Sequence, residues 1–152
     1  MPFINTKNLG RISYEPKSAI EFPLGLPGFE DRRQFLAITF PHTNPLVFLQ
    51  SVEDPDLCFI TAPVRSIDPG YRLAVHEEDL ASLGLDVSRQ PAIGADVLCL
   101  AVVSVRESGP TANLLAPIVV NIANLKAVQA IAAESGYSHQ HPVVAEPEPA
   151  LC

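Results

Sequence analysis

The chain is expected to fold as one all-β domain, an antiparallel β-barrel-like sheet with one short helix, and three observations carry that expectation. Short apolar or alternating segments recur between turn signals along 152 residues, as they do in antiparallel sandwiches and barrels. Fifteen prolines, about twice the usual share, work against long helices because proline breaks interior helical hydrogen bonding. Only one stretch carries clear start and stop signals for a helix. With 47% hydrophobic residues the chain is no disordered acidic protein, and its length suits one core without disulfide or metal staples.

The early strands are expected at Phe3–Thr6, Arg11–Tyr14 and Ala19–Phe22. The segment from Leu24 to Phe29 then interrupts with two glycines and a proline, so it is a loop, and Gly25 and Gly28 are its turn formers. Phe35–Phe40 and Leu46–Val52 flank the Pro41–Pro45 segment as paired strands around a loop, and Leu57–Ala62 follows. Asp68-Pro69-Gly70 is a turn. The helix is expected from His76 to Gly84: three carboxylates occupy its first turn, where the macrodipole favours them, and a glycine ends it. Asp96–Arg106 is apolar on both alternating faces through Val102, the signature of a central strand covered on two sides. Ala116–Ile122 and Lys126–Ala133 complete the set; the last is read as strand, although its alanines suit a helix as well. Residues 1–142 make the barrel domain, and the proline-rich segment 143–152 is expected to be a flexible tail.

Ten Lys and Arg against seventeen Asp and Glu leave a formal charge of −7, which argues against direct nucleic-acid binding and favours a basic protein partner. Most of that imbalance lies between Glu53 and Asp79, with seven acids and two bases. No run approaches the length of a membrane span, and the start of the chain lacks the pattern of a signal peptide, so a cytoplasmic location and no membrane partner are expected. Cys58 and Cys99 sit in apolar runs and suit inert buried thiols; Cys152 is expected to be exposed and free.

Catalytic and cofactor motifs fail one by one. His76 with Glu77 and Glu78 lacks the second histidine of a zinc-protease helix, since position 80 is leucine. No serine has a nucleophile-elbow context, and Gly25 to Gly28 is too short and proline-broken to cradle phosphate. No cofactor is expected. His139 and His141 could place two imidazoles on one side of an extended segment, but no neighbouring acid or cysteine completes a metal shell. A small-ligand or metal-binding β-barrel with these histidines at its mouth is the alternative reading, and an unrecognised hydrolase stands last.

Three segments carry a resemblance. Phe22 to Glu30 (FPLGLPGFE), Leu49 to Leu57 (LQSVEDPDL) and Thr111 to Asn121 (TANLLAPIVVN) resemble the signature segments of the FliW flagellar assembly factor family. Gln129 and the segment from Tyr137 to Pro142 also fall where that family has similar residues, so the likeness runs from about Ile4 to Pro142. Arg72 after Tyr71, and Gln140 before the terminal His-Pro, depart from its pattern. The resemblance implies a cytoplasmic, non-enzymatic regulator with a barrel-like fold. It implies binding to flagellin and to the small basic RNA-binding regulator CsrA, with allosteric relief of CsrA repression of flagellin mRNA translation. The unbound protein is expected to be a monomer.

Partner contacts are expected first at the exposed loop Glu53, Asp54 and Asp56, beside Gln50 at the rim of its strand. Tyr71 and Arg72, the helix-start acids Glu77, Glu78 and Asp79, and Asn113 complete the candidate set. For the acids the competing reading is solvated turn and cap residues. For Asn113 and Asn121 it is a clamp on neighbouring loop backbone, because an interior amide must be satisfied. Phe29, Phe48 and Phe59 are expected in the core.

Overall fold

Alternation of apolar residues sets most of this chain into antiparallel ladders. The computed structural model describes residues 2–131 and 135–143. A hairpin of β1 (Phe3–Thr6) and β2 (Gly10–Ser13) stands apart from one large sheet. In that sheet β3 (Ile20–Glu21), β4 (Gln34–Ile38), β5 (Val47–Ser51), β6 (Cys58–Pro63) and β7 (Val97–Arg106) are successive neighbours. β9 (Ile118–Asn121) follows β7 and β10 (Ala127–Gln129) follows β9. The second half of β7 pairs instead with β8 (Gly109–Ala112), which also takes the two-residue β11 (His141–Pro142). The two ends of the sheet meet at one point: the Glu21 N–H donates to Leu125 O at 2.9 Å, and Glu21 bridges Lys126. The sheet is therefore barrel-like without a continuous closing ladder.

The expected hairpin forms as read, with Ile38 opposite Phe48 across the 41–45 loop. β7 owes its two-faced apolar pattern to two cores. Val97, Cys99 and Ala101 face one core, with Val64, Leu80, Leu83, Val119 and Val128. Leu100 and Val102 face the other, with Phe22, Phe35, Leu49, Ile118 and Val120. Phe22 and Phe35 meet edge to face there, with ring centroids 5.4 Å apart. Leu98, read as covered, is 42% exposed, because cover on its face of β7 is incomplete.

A single-turn helix α1 (Val64–Ile67) follows β6, and α2 (Glu77–Leu83) is the helix expected from the carboxylate-rich start. Gly84 takes the left-handed conformation that ends α2, with φ of 74°. Leu80 and Leu83 are buried against the first core, each contributing roughly 1.5–3 kcal/mol. The Leu83 carbonyl, left over at the helix end, accepts from Asn121 Nδ2 at 2.7 Å and Asn124 Nδ2 at 3.0 Å.

Two expectations need correction, and β8 was not among the expected strands. The segment Lys126–Ala133 is strand only over Ala127–Gln129, since the Ala130 N–H turns to Pro117 O; residues 132 and 133 lie outside the described residues. Phe29 is 38% exposed, because it lies in the 24–30 loop and not on a strand; its ring stands edge-on to half-buried Phe59. In the expected tail, the Val143 N–H donates to Pro110 O at 3.0 Å and its side chain packs on the first core. Residues 144–152, Cys152 included, lie outside the described residues. Cys99 is buried, which pushes its thiol up to about 12, and burial also raises that of half-buried Cys58.

Candidate functional site

The loop after β5 is built from its own polar groups. Ser51 Oγ accepts from the N–H groups of Glu53 and Asp54 at 3.2 and 2.9 Å, and Asp54 Oδ1 accepts from the Asp56 N–H at 3.0 Å. Gln50 is fully buried, and its Nε2 donates to the carbonyls of Ser51, Asp54 and Pro55 at 3.1 to 3.3 Å. Its placement at the exposed rim is thus corrected: the last residues of an apolar strand point it inward, where it ties the loop from beneath.

The loop's acids are also engaged. Glu53 Oε1 accepts from the N–H groups of Arg33 and Gln34 at 2.9 and 2.8 Å, fixing the start of β4. Asp54 lies 3.4 Å from Arg32, which also pairs with Asp31. Only Asp56 is exposed without such an engagement among the described residues. The arginines opposite this loop stand outside the Glu53–Asp79 interval, so a count along the chain does not register them.

Tyr71, another of the candidate contacts, also turns inward. It is buried, donates its hydroxyl to Leu114 O at 2.7 Å and stacks on Tyr137 at 4.3 Å. Burial pushes its phenol far above the ordinary range. Arg72 beside it is exposed, and its backbone N–H donates to the Tyr137 hydroxyl at 2.9 Å. Asn113 Oδ1 accepts from the Ala116 N–H at 2.9 Å, and Asn121 from the Ala123 N–H at 2.9 Å, so both amides clamp backbone.

The acids of α2 differ from those of the loop. Glu77 and Glu78 are exposed, with no hydrogen bond or ion pair from their carboxylates among the described residues. Asp79 is partly covered; burial pushes its carboxyl up, Glu78 adds to this and His76 opposes it. It shares a shallow hollow with Glu30, whose carboxylate also accepts from the Gly28 N–H at 3.1 Å. Gly25 makes the fold of that loop possible: its φ is +70°, and a Cβ there would stand 2.6 Å from Glu30 Cα. Glu30 thus joins the acidic surface through folding, a contribution hidden from a reading of residues 53–79 alone.

Among the described residues no three His, Cys, Asp or Glu side chains gather as a metal shell. His141 lies on β11, opposite Ala112, whereas His139 lines a separate cavity. No helix of the described residues is long and apolar enough to cross a membrane.

The FliW protein family profile matches residues 3–143. The flagellar assembly factor FliW of Syntrophomonas wolfei is 35% identical over 135 residues, spanning 89% of this chain and 84% of its own. That of Thermoanaerobacter pseudethanolicus is 35% identical over 144 residues, spanning 94% and 93%, and that of Bacillus subtilis 32% over 145, spanning 94% and 97%. A crystal structure of the flagellar assembly factor FliW superposes with a TM-score of 0.82 at 29% identity, covering 95% of this chain and 98% of that one.

Proposed function

The chain belongs to the FliW family of flagellar assembly factors, and from that premise we propose that it serves flagellar assembly by protein–protein contact. Its partners are flagellin and the RNA-binding regulator CsrA. Binding CsrA away from the RNA contact relieves repression of flagellin mRNA translation, and flagellin entering the complex frees CsrA again. The observation that carries this is the family match across residues 3–143, on a fold shared from end to end. The family is one of assembly factors, and the protein acts by occupancy without transforming a substrate.

Charge supports the same reading. A chain of net charge −7 suits a cationic partner, since complementary potentials speed encounter and set orientation. Within the candidate set the exposed and unengaged acids are Asp56, Glu77 and Glu78, and these form the docking charge for CsrA. Glu53 and Asp54 hold the loop in shape beneath it.

Mixing the purified chain with CsrA and with flagellin, followed by size-exclusion chromatography, tests the partner assignment. A co-eluting complex is expected with each, and addition of flagellin to the CsrA complex is expected to release CsrA. Separate elution of all three proteins would overturn it.

A further inference from the structure

Along one face of β7 the side chains change from Leu100 and Val102 to Ser104 and Arg106, because that face leaves the second core as the strand runs outward. A cavity of about 290 Å³ opens over the change, close to the lower end of the range for small-ligand sites, roughly 300–1,000 Å³. Its floor is apolar, built from Phe59, Val102 and Ile118, and the exposed ring of Phe29 forms a wall edge-on to Phe59.

Of the polar groups around that floor, Arg106 and Asn113 present free donors, while Ser104 and Gln129 also line it, with Gln129 Nε2 spent on Ala116 O at 3.1 Å. Arg106 has no carboxylate partner among the described residues, and with the Gln140 amide oxygen turned toward it, its guanidinium donates there at 3.0 and 3.2 Å. That contact uses part of the fork and orients the rest. Asn113 spends its amide oxygen on the Ala116 N–H, and its Nδ2 donates to no described group. His139 stands at the same mouth. In a chain with seventeen acidic residues, no described acid lines this cavity. Arg106 thus sets a cation above an apolar floor on an otherwise anionic protein, an arrangement complementary to an anion that carries an apolar part.

We propose that this cavity binds a small amphipathic carboxylate, its carboxylate on Arg106 with His139 and the Asn113 amide beside it, and its apolar part against Phe29, Phe59 and Ile118. The site stands apart from the flagellin and CsrA assignment and needs neither protein.

The test titrates phenylacetate into the full chain and follows amide shifts by NMR, with neutral phenylacetamide and with acetate as controls. Saturable phenylacetate binding is expected, with shifts centred on residues 102–106, 113 and 139. Phenylacetamide and acetate are each expected to bind about tenfold or more weakly, since one lacks the charge and the other the apolar contact. Arg106→Gln is expected to lower phenylacetate affinity about tenfold or more while leaving the urea midpoint unchanged, because Arg106 is exposed. Phe29→Ala is expected to weaken it as well. Absence of saturation at concentrations on the order of 10 mM, or equal affinity for phenylacetamide or in the Arg106→Gln variant, would overturn the site.

Discussion

Two acidic segments that look alike along the chain are put to different uses. At Glu53 and Asp54 the carboxylates turn back on the protein: Glu53 holds the Arg33 and Gln34 N–H groups, and Asp54 faces Arg32 and the Asp56 N–H. At Glu77–Asp79 the helix is anchored from behind by Leu80 and Leu83, and Glu77 and Glu78 are left facing solvent. Local negative charge is therefore a poor guide to an available epitope. A carboxylate at a strand end is recruited by unpaired backbone donors, whereas one in the first turn of a helix is already favoured by the dipole and needs no further partner.

Substitutions of graded severity would sharpen or break this contrast. The largest effect is expected from Leu83→Ala, which empties a fully buried position beneath α2 and should cost about 2–5 kcal/mol in urea unfolding. Gln50→Ala removes the buried donor shared by three loop carbonyls and is expected to cost about 1–3 kcal/mol. A value near zero would mean that Ser51, Glu53 and Asp54 hold the loop without Gln50. Glu53→Ala should cost about 1 kcal/mol, as two backbone donors lose their acceptor. Glu78→Ala should stay within about 0.5 kcal/mol. Equal losses from these last two substitutions would erase the difference between the segments.

The smallest effect concerns pH. Burial raises the folded-state pKa of Asp79 above its unfolded value, so its contribution is fully present below the unfolded pKa and is lost as pH rises through the folded one. Asp96 runs the other way: the Ala92 N–H and Arg89 lower its pKa, so its contribution is present above the unfolded pKa and lost as pH falls through the folded one. In acid titrations followed by thermal unfolding, Asp79→Asn should gain stability relative to the parent as pH rises from the acid range to neutral, and Asp96→Asn should lose it.

What was legible in the sequence follows the physics of period and punctuation. The 35–51 hairpin, the two-faced β7 and the start and stop of α2 rest on local signals, and each forms where those signals stand. β8 was hidden because Gly109 and Pro110 carry turn chemistry while lying in a ladder opposite Arg106 and Val105. Gln50 and Tyr71 were candidates for partner contact, yet both are buried by groups across the fold, the 51–55 carbonyls for one and Leu114 and Tyr137 for the other. Phe29 went the opposite way, since facing inward is a habit of strand aromatics and Phe29 sits in a loop beside Gly28 at φ +86°. The cavity beside Arg106 gathers residues from before β4 to after β10, and no local pattern announces such an assembly.

The most direct measurement is the fluorescence anisotropy of a labelled flagellin leader RNA bound to CsrA while this protein is added, beside a Glu77→Lys/Glu78→Lys variant at low and high salt. The anisotropy should fall to that of free RNA with the parent chain, and the variant should associate more slowly with CsrA, chiefly at low salt. RNA that stays bound at saturating protein would contradict the partner-switch role, and an unaltered association rate in the variant would remove α2 as the docking face.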